Sequence, residues 1–91
     1  MNFYVYILKN DTDNDLYKGF TENPNQRIIY HNLGLSKFTS TKKNLSFVFL
    51  KKFDTKSEAL KFERKIKKWN RKSLDALICS KDNIIESYFN Q

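Results

Sequence analysis

Tyr4-Val5-Tyr6-Ile7-Leu8 and Leu16-Tyr17-Lys18-Gly19-Phe20 are two short apolar runs separated by Asn10-Asp11-Thr12-Asp13-Asn14-Asp15. The linking residues hydrogen-bond readily to their own backbone, which is the chemistry of a turn. The pair therefore predicts a β-hairpin, with strands over residues 3–9 and 16–21. The first run is apolar at successive positions, so its strand is covered on both faces and lies centrally in its sheet. On neighbouring strands, Tyr6 and Tyr17 can bring two phenols to one place. Gly19, two residues beyond Tyr17, shares its face and is expected to leave room there for a ligand backbone.

Working outward, Asn23-Pro24-Asn25-Gln26 opens a helix, with Asn23 as cap and Pro24 at the first helical position. Gly34 ends it. Ser36 to Asn44 reads as a polar, basic loop, and Leu45 to Phe53 as a third strand. Thr55 and Glu58 form a capping box opening a second helix to about Trp69. Asn70 to Lys72 interrupts it, Ser73 to Cys79 forms a shorter helix, and Ile84, Ile85, Tyr88 and Phe89 are expected to pack back in a last turn. The order ββ-α-β-α-α predicts an α+β domain, a small three-stranded antiparallel sheet flanked by helices. Ninety-one residues make one domain, 1–91, with a core over about 3–80 and a tail over 81–91. Phe47, Phe49, Ile29 and Leu60 are expected in the core.

Charge is unevenly spread. The formal charge is +7, yet residues 1–36 carry three Lys/Arg against four Asp/Glu. Residues 37–72 carry thirteen against three, a local balance of +10, and the last nineteen carry one against three. A basic block of that density points to a polyanion, with nucleic acid first and an anionic membrane surface second. Cys79 is alone, which excludes an internal disulfide. A buried, reduced thiol in the cytoplasm is the expectation. The apolar run from Phe3 to Leu8 is too short for a signal peptide or a membrane span. Asp11, Asp13, Asp15 and Glu22 match positions 1, 3, 5 and 12 of a calcium loop. Leu16 stands where that loop needs Gly, and strands flank it, so a solvated turn is the better reading.

Three residues outside the hairpin carry reactive chemistry. At 3.6 residues per turn, Ile29 and Leu33 share one face of the first helix and Arg27 and His31 the opposite one. That second face either meets water or lines a cleft, with Arg27 as a phosphate fork and His31 as a proton carrier. Glu63 lies beside the apolar stripe of a helix whose polar side is cationic, with Lys61, Arg64, Lys65 and Lys68. An acid so placed is paired, for example with Lys67, or protonated, or bound to a metal.

Taken in order, Tyr4-Val5-Tyr6, Tyr17-Lys18-Gly19, Arg27, His31, Glu63 and Lys67-Lys68-Trp69-Asn70-Arg71-Lys72 resemble the GIY-YIG endonuclease superfamily. The likeness is to small stand-alone domains similar to the nuclease domain at the start of excinuclease C, and it covers about residues 3–80. Tyr4 replaces the signature Gly, Lys18 replaces the second Ile, and Val5 stands for Ile. The place of the family's late Asn falls near Asp75, with Asn70 and Asn83 on either side. The resemblance implies a metal-dependent endonuclease of nucleic acid, DNA first, acting in the cytoplasm on structured or damaged substrate in a repair-like role. It implies catalytic roles for Tyr6, Tyr17, Arg27, His31 and Glu63, with one Mg²⁺ or Mn²⁺ on Glu63. It also implies phosphate contacts from Lys37, Lys42, Lys43, Lys65, Lys68 and Arg71. The alternatives are a binding module of the same fold without cleavage, or an interaction protein whose basic helix meets a membrane or another protein.

Overall fold

β1 (Phe3–Asn10) is the central strand, paired antiparallel with β2 (Leu16–Thr21) on one side and β3 (Leu45–Phe53) on the other. This computed structural model describes residues 2–32 and 45–89, and of residues 30–32 the backbone alone. The helices are α1 (Pro24–Asn32), α2 (Lys56–Ile66), α3 (Arg71–Ile78) and α4 (Ile85–Phe89). The expected order and the antiparallel sheet are both present.

The hairpin turn is built by Asn10, which is buried. Its Oδ1 accepts the backbone N–H groups of Thr12 at 2.8 Å and Asp13 at 3.2 Å. Asn14 closes the turn in the left-handed region, φ 63°, which Asn tolerates better than most residues. The Asp13 carboxylate accepts the N–H of Asp15 at 2.9 Å, so the acidic run folds onto its own backbone.

The sheet is covered on both faces. Val5, Ile7 and Phe49 face Ala59 and Ile66 of α2 and Leu74 and Leu77 of α3. Tyr4, Tyr6 and Leu8 face the other way, with Leu45, Leu50, Ile28 of α1 and Ile84, Ile85 and Tyr88 near the C-terminus. Residues 84–89 pack back as expected: Tyr88 meets Tyr4 edge-on at 5.4 Å and Phe89 stacks on Phe47 at 5.6 Å.

Several expectations need correction. Phe47 and Phe49 do not share a face. Ile7 pairs with Phe49 and Leu8 with Phe47, leaving Val48 as an extra residue in β3. Such a bulge inverts the alternation beyond it. Phe49 is fully buried under α2, whereas Phe47 is half-buried on the tyrosine face. Ile29 is 60% exposed, because α1 docks through Pro24 and Ile28, one residue round the helix. Leu60 is half-buried at the border of the α2 stripe. Cys79 is exposed, since α3 buries Leu74 and Leu77 and the chain turns outward at its C-cap. The break after α2 spans residues 67–70 only: Asn70 caps α3, its Oδ1 accepting Ser73 N–H at 2.9 Å. Thr55 caps α2 as expected, accepting Glu58 N–H at 3.2 Å and donating to the Glu58 carboxylate at 2.8 Å.

Candidate nuclease active site

The register of the hairpin decides the site. Tyr6 pairs with Gly19 and Leu8 with Tyr17, so Tyr6, Tyr17 and Gly19 project from one face of the sheet. Tyr6 and Tyr17 are diagonal neighbours there, a separation that aromatic side chains bridge. The Tyr6 ring lies across β2 at Gly19. A Cβ at position 19 would overlap Tyr6 Oη and Cζ. The space vacated by this glycine is therefore filled by the protein's own phenol and not by a ligand, which corrects the expectation. Phe47 meets the Tyr6 ring edge-on at 5.5 Å.

The Tyr6 hydroxyl end is where the helices converge electrostatically. Burial pushes the Tyr6 phenol up to about 12, the nearby Arg27 guanidinium pulls it down, and the Glu63 carboxylate pushes it up again. Arg27 comes from α1 on the tyrosine face. Glu63 comes from α2, which packs on the opposite face, so the two charges reach one phenol from both sides of the sheet. Tyr6 consequently stays a protonated hydrogen-bond donor throughout the neutral range.

Each element is held by local chemistry. Thr21 Oγ1 accepts Asn23 N–H at 3.0 Å and Asn23 Oδ1 accepts Gln26 N–H at 3.3 Å, fixing the entry into α1. Because α1 docks through Pro24 and Ile28, Arg27 is half-buried beside them rather than directed at open water. His31 lies one helical turn further along the α1 backbone, and its side chain lies outside the described residues. An open groove of about 520 Å³ adjoins Arg27, lined by Phe20, Thr21, Glu22, Asn23 and Gln26.

Glu63 has 14% of its side chain exposed and faces Lys67 Nζ at 3.7 Å, the i,i+4 pair anticipated from the sequence. Among the described residues no three His, Cys, Asp or Glu side chains cluster as a metal cage. A single half-buried carboxylate matches a small hard cation that keeps most of its waters, as Mg²⁺ does, and does not match a site needing several protein ligands.

Of the basic residues named from the sequence, Lys65 and Lys68 are exposed, and Lys65 Nζ also lies 5.7 Å from the Trp69 ring centre. Arg71 is committed to the fold: Nη1 donates to the Asn14 carbonyl at 2.8 Å and Nε to Asp75 at 3.0 Å, pinning α3 to the hairpin turn. Lys37, Lys42 and Lys43 lie outside the described residues. Sequence reasoning missed the part played by Asn83. Its Nδ2 donates to Val48 O at 2.8 Å and Ile78 O at 2.9 Å, and its Oδ1 accepts from Leu50 and Ile85 N–H at 3.1 Å each.

The domain is α+β, with a hairpin that presents Tyr6 and Tyr17 on one face, an arginine from the first helix and an acid from the second. Residues 2–75 match the GIY-YIG catalytic domain, and the chain belongs to that family. It is similar to a UPF0213 protein of Staphylococcus saprophyticus, 42% identical over 76 residues, covering 82% of this chain and 92% of that protein. A UPF0213 protein of Listeria monocytogenes is 36% identical over 80 residues, covering 87% of this chain and 88% of that protein. The solution NMR structure of a UPF0213 protein from Bacillus halodurans superposes with a TM-score of 0.60 at 31% identity, covering 97% of this chain and 94% of that one. The family lies within the nuclease superfamily, whose substrates are nucleic acids and whose members generally use divalent metal ions. No helix among the described residues is long and apolar enough to cross a membrane.

Proposed function

We propose that this chain is a divalent-metal-dependent endonuclease that hydrolyses phosphodiester bonds, with DNA as its first substrate and branched or damaged DNA preferred. The observation that supports this most is the Tyr6 phenol laid across Gly19, with Arg27 and Glu63 both near enough to influence its ionisation. In this reading Arg27 binds the scissile phosphate and stabilises the charge that grows on it. Tyr6, held neutral, donates a hydrogen bond to a phosphate oxygen or to the attacking water. Tyr17 orients that water. An ordinary phenol ionises near pH 10, so Tyr17 takes the water's proton only with a cation beside it. His31, one turn along α1 from Arg27, relays protons. Glu63 would hold Mg²⁺ or Mn²⁺, which supplies positive charge for the leaving 3′ oxygen. Lys65 and Lys68, with Lys37, Lys42 and Lys43, hold flanking phosphates. Arg71, bonded to Asn14 and Asp75, contributes charge from a fixed position.

A second reading, a nucleic-acid-binding module without cleavage, draws support from the Glu63–Lys67 pair, which gives the carboxylate a partner inside the protein. Incubation with supercoiled, branched and single-stranded DNA in Mg²⁺ or Mn²⁺ separates the two. Nicking that disappears with chelator supports the endonuclease. Retained DNA binding with no product on any substrate establishes the binding module instead.

A further inference from the structure

Residues 76–89 lie beyond the matched catalytic domain, yet they pack on the tyrosine face and bond the edge of β3 through the Asn83 side chain. An Asn amide offers two N–H donors and an acceptor oxygen with two lone pairs. Asn83 uses all four, on Val48 O, Ile78 O, Leu50 N–H and Ile85 N–H. Two of these partners flank Phe49 in β3, at the bulge. Ile84 N–H adds a bond to Leu50 O at 2.9 Å. The C-terminal segment thus occupies part of the outer edge of β3 where a fourth strand would run, and it grips the strand where Val48 is extra.

The bulge has a consequence for chemistry. In regular alternation, Phe47 and Phe49 would both point under α2 and α3. With Val48 inserted, Phe49 stays there while Phe47 turns to the other face and meets Tyr6 edge-on at 5.5 Å. Phe89 of α4 stacks on the same Phe47 ring at 5.6 Å. Phe47 therefore touches both the C-terminal helix and the phenol that crosses Gly19.

We propose that the C-terminal segment is a positioning element of the nuclease site, with Asn83 holding the β3 bulge and Phe47 transmitting it to Tyr6. The kinetic part of this proposal rests on the endonuclease reading, and the positional part does not. Two variants of the full chain perturb opposite ends of the relay. Asn83→Asp keeps the acceptor but loses both donations to Val48 O and Ile78 O. Phe47→Leu leaves all four Asn83 bonds in place and removes the ring against Tyr6.

The chain has two glycines, Gly19 and Gly34, so the Gly19 Hα signals are easily assigned by NMR. The Tyr6 ring current moves them from their random-coil position. In both variants, with circular dichroism confirming the fold, they move back towards it. In nicking assays kcat falls on the order of 10- to 100-fold, the scale of a small displacement of a catalytic group, with KM unchanged. Unmoved Gly19 signals in either folded variant overturn the proposal, whatever the activity. Moved signals with an unchanged kcat overturn it too. If the wild-type chain cuts nothing, the endonuclease reading fails, and the Gly19 signals still decide whether this segment sets the place of Tyr6.

Discussion

Gly19→Ala is the most direct test of the geometry on which the site depends. Gly19 lies inside β2 and needs no left-handed backbone, so the strand itself accepts alanine. Freed of the tertiary context, the change stabilises by about 0.4–1 kcal/mol, because the unfolded chain loses freedom. The context reverses the sign. The new Cβ occupies the place of Tyr6 Oη and Cζ, and Tyr6 is 4% exposed with the Phe47 ring against it. Overpacking of this kind costs about 1–3 kcal/mol. The net expectation is a loss of about 1–2 kcal/mol, or a fall in Tm on the order of 4–16 °C for a domain of this size. In a Tyr6→Leu background the side chain stops short of position 19, and Gly19→Ala should become favourable by about 0.4–1 kcal/mol. Urea unfolding followed by circular dichroism, with an unchanged m-value, measures both arms of the cycle. A neutral or stabilising Gly19→Ala in the wild-type background would refute the crossed-phenol geometry.

Three further outcomes are expected. Tyr17→Phe and Glu63→Gln each abolish metal-dependent nicking while leaving DNA affinity within about twofold, since each keeps the shape and deletes one hydroxyl or one charge; retained nicking in either removes that residue from the mechanism. Lys65→Glu with Lys68→Glu weakens DNA binding for all sequences and flattens its salt dependence, which for duplex DNA runs near −0.9 per phosphate neutralised, whereas an unchanged salt slope in filter binding contradicts a basic α2 interface. The raised Tyr6 phenol gives a pH signature: between about 10, where the unfolded chain's tyrosine ionises, and about 12, where the folded one does, the folded state holds the extra proton, so stability falls as pH rises through that window. Comparison with Tyr6→Phe isolates this slope from lysine titration, and identical alkaline unfolding of the two proteins would show that Tyr6 is not buried as described.

The hairpin and the capped helices were legible because their signals are local. Asn10 to Asp15 could only turn, Thr55 and Glu58 could only cap, and a run apolar at every position from Phe3 to Leu8 had to be central. The positions of Tyr6 and Tyr17 on one face followed from hairpin register, and the burial of Ala59 and Ile66 in α2 followed from its periodicity, though that of Leu60 did not. What failed depended on contacts distant in sequence. The bulge at Val48 has no mark in Leu45–Phe53, and the side chain bonded to it there, Asn83, lies 35 residues away. Without it, period-two reasoning puts Phe47 beside Phe49. Ile29 and Ile28 are adjacent and equally apolar, so only docking of α1 on the tyrosine face chooses between them. Arg71 reads as one more cation of a basic stretch until its bond to the Asn14 carbonyl, 57 positions away, is seen.

The two outer strands explain why a domain this small can hold a site at all. A sheet edge presents unpaired backbone groups and invites unwanted pairing unless it is covered. On β3 the C-terminal segment does part of the covering, through Asn83 and the Ile84 N–H bond to Leu50. Among the described residues β2 has no further strand beside it, and Gly19 lies in its middle, so the strand is thin there. A phenol rooted in the central strand can then reach over it. α1 and α2, packed on opposite faces, bring an arginine and a glutamate close enough to act on that same phenol. The cost of a buried charge is several kcal/mol per ion, more than a domain of 91 residues readily bears. Arg27 is half-buried, and Glu63, with 14% of its side chain exposed, is paired with Lys67 at the surface, while the group buried most deeply between them is a neutral phenol.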